Sequence, residues 1–167
     1  LFSGSARTSR TLLADELPTA SQTSESTLAS RQLDRVSKLH NDHRYLDALA
    51  QLELIEEDLT TFDDRQKARW YFLRGMCFWH LADDDKASAD LEMAASLYQD
   101  DERIVAGHVR AYMLKDDVQS AIEVGQAAIV RFPESYSVWV ALTHARLLNK
   151  EQLAIEDLPE AFRDKSG

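Results

Sequence analysis

The sequence matches itself at an offset of 34 residues. Ala87 and Ala121 stand that far apart, and each closes an acidic stretch, Leu81-Ala-Asp-Asp-Asp-Lys-Ala87 and Leu114-Lys-Asp-Asp-Val-Gln-Ser-Ala121. At the same offset Phe78 maps to Tyr112, Ala94 to Ala128 and Val105 to Trp139. One coincidence at a fixed spacing carries little, but small and aromatic positions recurring in one register mark a repeated supersecondary unit. Such a unit cannot bury its apolar face alone, so the copies must stack and share a core.

The nature of the unit follows from its periodicity. From Ala29 onward apolar residues fall three and four apart, the spacing of one helix face. The pattern breaks at Asn41-Asp42, Asp63-Asp64, Asp83-Asp84-Asp85, Asp100-Asp101 and Asp116-Asp117. Five Gly and three Pro in 167 residues leave few points that forbid a helix. The chain is therefore expected to be all-α. The acidic clusters read as turns and helix N-caps, where Asp accepts backbone N–H bonds and suits the positive end of the helix dipole. None has the spaced oxygen ligands and central Gly of an EF-hand calcium loop.

In this register the chain resembles the tetratricopeptide repeat (TPR) family, whose pattern runs from a Trp through Leu-Gly, a Tyr, a small Ala, a bulky residue and another Ala to a closing Pro. One copy shows Tyr71, Gly75, Phe78, Ala87, Leu91 and Ala94. The next shows Tyr112, Ala121, Ala128 and Pro133, and a partial one starts with Trp139 and Leu142. A looser first copy offers Leu39, Tyr45, Ala48, Leu52 and Ile55. Ala48 and Ala87 are 39 residues apart, which places five extra residues at Thr60-Thr-Phe-Asp-Asp64 or in a longer helix before it. Departures are Val109 and Thr143 where Gly is commonest, Gly125 where a bulky residue is expected, and Gln99 in place of the closing Pro. The resemblance implies a right-handed solenoid of antiparallel helix hairpins, about three and a half repeats over residues 29–149. Gly75, Ala87 and Ala121 are expected where helices approach too closely for a larger side chain.

Residues 1–28 are crowded with Ser and Thr and read as a flexible tail or linker, with Leu12, Leu13 and Leu17 as the makings of a short docking helix. Residues 29–158 form the helical domain, in which Lys150 to Leu158 reads as a terminal cap halted by Pro159, and residues 159–167 as a frayed end.

A formal charge of −10 and a pI near 4.9 oppose contact with nucleic acid or an anionic membrane surface, both of which need a surplus of Lys and Arg. The single Cys77, between Met76 and Phe78, reads as a buried apolar residue. It fits a cytoplasmic location, while a start at Leu1 rather than Met fits equally a processed chain or a piece of a longer one.

No Gly-rich phosphate loop, nucleophile elbow or His-Glu-x-x-His motif occurs, so no catalytic residue is assigned. His40 and His43 lack a third metal ligand, and neither a metal nor a cofactor is expected. In the family the first helix of each pair lines the concave face where ligands lie. By that register the face carries Leu33, Ser37 and His40, then Arg69, Phe72, Met76 and Trp79, then Arg103, Ala106, Arg110 and Met113, then Val140, His144 and Leu147. Exposed, this apolar strip would suit an apolar or amphipathic segment of another protein, with Arg69, Arg103 and Arg110 holding an acidic group. Turned inward, the same side chains would be core.

One subclass of the family clamps the acidic C-terminus of heat-shock chaperones with Lys and Asn. Leu33, Ser37 and Leu73 stand at the corresponding places here and only Arg103 fits, so that activity is not implied. In size, acidity and apolar groove the chain also resembles the small TPR chaperones of bacterial type III secretion. The expectation is a non-enzymatic adaptor or chaperone-like module, with a homodimer as one arrangement. The alternatives are a structural assembly subunit and a regulatory domain of a longer enzyme.

Overall fold

The computed structural model describes residues 20–152, and among them it has seven α-helices, one 3-10 helix and no strand. The α-helices are α1 (Ala20–Asn41), α2 (Tyr45–Leu54), α3 (Asp64–His80), α4 (Asp84–Leu97), α5 (Glu102–Leu114), α6 (Val118–Arg131) and α7 (Tyr136–Leu148). Residues 1–19, with Leu12, Leu13 and Leu17, lie outside the described residues, as do 153–167 with most of the expected cap. Helix α1 starts at Ala20, inside the stretch read from sequence as a tail. Extending a helix that is already nucleated costs little for Ser, Gln and Glu, so a packed segment carries these residues with it.

The 34-residue offset reappears in the backbone. Turns of three residues follow α1, α3 and α5, and α7 ends in the same way; a left-handed residue stands second after each helix, His43 at φ 59°, Ala82 at 58°, Asp116 at 58° and Lys150 at 60°. Their hydrogen bonds are the same in every case. The N–H after the left-handed residue donates to the carbonyl five back, Arg44 to Leu39 at 2.9 Å, and Asp83 to Phe78, Asp117 to Tyr112 and Glu151 to Arg146 each at 3.0 Å. This is the Schellman closure, which satisfies carbonyls that a helix end leaves open.

Asp residues cap α3, α4, α5 and α6, as their placement suggested, whereas α2, after Asn41-Asp42, starts from Arg44 without a side-chain cap. Asp63 accepts from the N–H of Gln66 at 2.7 Å while the Gln66 side chain accepts from the N–H of Asp63 at 3.1 Å, a reciprocal capping box at the start of α3. Asp83, Asp101 and Asp117 cap α4, α5 and α6, and Ser135 caps α7.

Contacts between elements follow chain order. Helix α1 packs on α3, α3 on α5 and α5 on α7, while α2, α4 and α6 are each wedged between two of these. The glycines allow this approach. A Cβ on Gly75 would lie 3.1 Å from the Ala87 carbonyl oxygen and 3.0 Å from Leu91 Cγ. At Gly125 a Cβ would lie 2.9 Å from Leu142 Cδ1, so the space expected for a bulky residue is already filled from α7. The first junction is irregular: α2 has 10 residues where α4 has 14, a 3-10 helix, Glu57–Thr61, and buried Phe62 follow it, and most of the extra length falls in α3, which has 17 residues where α5 has 13. Trp70, fully buried, donates its indole N–H to the Leu52 carbonyl at 3.1 Å and fastens this irregular junction to α3.

Candidate functional site

Packing divides the residues placed by register on the face of α1, α3, α5 and α7. Leu33, Met76, Ala106 and Met113 are buried. Phe72 is half-buried and packs against three of the core clusters. These five fill the spaces between successive helices and do not form an exposed strip. The apolar groove expected from the sequence is therefore narrower than its register suggested. Ser37 is half-buried, Val140 (42% exposed) and Leu147 (57%) are open, and His144 lies exposed between them on α7.

The three arginines also separate. Arg69 is paired with Asp34 of α1 at 2.7 Å. Arg103 folds back onto its own helix cap, Asp101, with Nη2 at 3.0 Å from Oδ2. Both line a cleft of about 300 Å³ with Ser30, Gln66 and Arg65, at the start of α3 and α5. Arg110 stands apart from them. Its guanidinium lies over the Trp79 ring, 4.2 Å from the centroid, and its Nη1 donates to Met76 Sδ at 3.3 Å.

Around Trp79 the ends of three helices converge into one aromatic and cationic cluster. His80 is 4.6 Å from Trp79 and 5.3 Å from His40, centroid to centroid, and stacks on Tyr45 at 4.3 Å with 9° between the rings. His43 is hydrogen-bonded to the Tyr45 hydroxyl at 2.7 Å. His80 and Tyr45 were not among the residues selected from sequence, because they occupy helix ends rather than the groove register. The signal was the run Trp79-His80 directly before the turn, facing His40 before the preceding turn.

Burial holds His40 below the ordinary histidine range, more than offsetting the hydrogen bond that the ring donates to Asn41, and the nearby His43 adds to the effect. Burial likewise lowers His80, aided by the positive charges of His40, Arg110 and His43. Burial lowers Arg110 too, and no carboxylate among the described residues counters it. By contrast Arg74, whose burial also opposes its charge, is held above its ordinary value by two 2.7 Å hydrogen bonds to buried Asp90 and by that carboxylate's charge. Cys77 is buried, and desolvation pushes its thiol up to about 12, so it stays protonated and unreactive.

Among the described residues no group of three or more His, Cys, Asp or Glu is placed to hold a metal ion, and no helix is long and apolar enough to cross a membrane. No family model matches the sequence, and no curated protein matches it closely enough to count as a relative.

Proposed function

We propose that the chain is a non-enzymatic protein-interaction module, adaptor or chaperone-like in its work. In this reading it is a right-handed solenoid of TPR-type antiparallel hairpins, about three and a half of them, that holds an apolar or amphipathic segment of a partner against α1, α3, α5 and α7. The recurrence of one turn at Ala82, Asp116 and Lys150, with the 39-residue step from His43, supports the hairpin repeat. The observation that carries the interaction reading is the part-open cluster of Trp79, His80 and Arg110, continued along the row by open Val140, His144 and Leu147. Trp and Arg are the side chains on which binding energy concentrates at protein interfaces.

A structural assembly subunit is the second reading, and helix α7 favours it. Tyr136 (65% exposed), Val140, Leu147 and Leu148 (49%) leave apolar surface that a permanent neighbour would cover.

Because Phe72 and Met76 are packed inside, their truncation would test folding rather than binding. The informative variants are Trp79→Ala, Arg110→Glu and Val140→Asp. Captured from cell extract, the wild-type chain is expected to retain a defined partner that each variant loses while keeping its circular dichroism and melting temperature. Equal capture by all three folded variants would sink the interaction face.

A further inference from the structure

Arg110 is an anomaly in its own protein. The chain carries 29 acidic residues against 19 Lys and Arg, yet Arg110 forms no ion pair among the described residues, and unlike Arg31, Arg35 and Arg65, which also form none, it is not exposed. Arg69, Arg74, Arg103, Arg131 and Arg146 each have a carboxylate. The Arg110 Nε is buried without a hydrogen-bond partner, and so is His40 Nε2 in the same cluster. Its Nη1 is spent on a thioether, a weak acceptor. A guanidinium withdrawn from water without a counter-charge is costly, and a carboxylate is the group whose charge and geometry would offset that cost.

The surroundings narrow the ligand. The indole of Trp79 covers one face of the guanidinium, the sulfur of Met76 meets its Nη1, and the exposed ring of His80 lies against Trp79. The charged neighbours supplied by the protein are His40 from α1, His43 from the turn and His80 from α3, all basic. One permanent positive charge, beside His40 and His80 whose charged forms desolvation disfavours, suits a monoanion better than a phosphate dianion.

We infer that Arg110, covered on one face by Trp79 and met by Met76, is a receptor for a carboxylate on an apolar frame, namely an Asp, Glu or C-terminal group set within the partner's apolar segment. The assignment rests on the interaction reading above and specifies its ligand. An arginine that costs stability in the free protein becomes the point of recognition in the complex.

Sodium phenylacetate, its neutral isostere phenylacetamide and inorganic phosphate are the probes, added to the full chain and followed by Trp fluorescence and by the Arg110 Nε–Hε and histidine Cε1–Hε1 resonances. Phenylacetate is expected to move the Arg110 signal, to raise the titration midpoints of His40 and His80, and to bind about tenfold more tightly than phenylacetamide. Arg110→Gln is expected to abolish that preference. Arg110→Lys, which keeps the charge but loses the fork, is expected to weaken it, and serves alone if the Gln variant does not fold. Equal binding of acid and amide, or a preference unchanged in the variants, overturns the assignment. So does inorganic phosphate moving Arg110 at the same concentration as phenylacetate. Capture of a partner that is lost with Val140→Asp but kept with Arg110→Gln would spare the interaction face and refute the carboxylate site alone.

Discussion

Ala82 sits at φ 58°, where the Cβ of an L-residue crowds the following carbonyl oxygen. Glycine avoids that contact, which makes it the usual occupant of the position after a helix end. Ala82 lacks the side-chain hydrogen bonding by which Asp116 at the equivalent place can offset the strain. Ala82→Gly is therefore expected to stabilise the protein by about 1 kcal/mol, read as a higher urea midpoint at unchanged slope. A lower midpoint would mean that the added freedom of glycine in the unfolded chain outweighs the strain. At the same scale Arg74 and Arg110 show how context decides the use of a side chain. Both guanidinium groups lie over a tryptophan at 4.2 Å, but Arg74 also has Asp90 in a two-bond pairing while Arg110 has no acid among the described residues. The sequence lists both as arginines on first helices and does not tell them apart.

The fit between elements depends on small residues where two helices touch. Helices α3 and α4 meet at Gly75, whose nearest neighbours include a backbone carbonyl that cannot swing aside. Gly75→Val is expected to cost about 3 kcal/mol through overpacking, measured as a lower melting temperature, with far-ultraviolet dichroism retained at 20 °C as a check on the fold. Unchanged stability would mean that α3 and α4 shift apart more easily than their packing implies. Ala87 was readable in the sequence because it recurs at Ala121, and Gly75 because it fits the family pattern although Val109 and Thr143 follow it in register. Gly107 was not, although a Cβ there would lie 3.0 Å from Leu91 and 3.2 Å from Phe72. It faces residues from two other helices, and no local pattern announces such a meeting. The same holds for Trp70, whose bond to the Leu52 carbonyl spans a junction that departs from the period.

Across the whole molecule, partly desolvated histidines couple folding to pH. The cluster joins His40 of α1, His43 and Tyr45 at the start of α2, His80 of α3 and Arg110 of α5. His40 and His80 are both held below their ordinary value of 6.5, and so is His108 of α5, where burial outweighs the charge of Glu92. Groups depressed on folding contribute stability that is fully present above the unfolded value and is lost as pH falls through the folded one. Thermal stability is expected to be flat above about pH 7 and to fall as the pH drops below 6.5. Carboxylates such as Asp101, lowered from 3.8 by Arg103 against the effect of burial, act only in stronger acid. The double variant His40→Gln, His80→Gln is expected to flatten the fall between pH 6.5 and 5, and an unaltered slope would assign it elsewhere.

Sequence alone determined the helical class, the acidic caps, the period and the small residues at its core positions. Each is set by chemistry within a few residues, or by a spacing that the chain repeats. Which residues of the first-helix face stay open was decided only by the tertiary structure. Leu33, Met76, Ala106 and Met113 lie in register with Trp79 and Leu147, but burial depends on what the next helix brings against each position. Those partners come from tens of residues away, and their fit depends on volume and angle. The 34-residue match therefore predicted the repetition of the turns, and packing between distant helices selected the surface left for a partner.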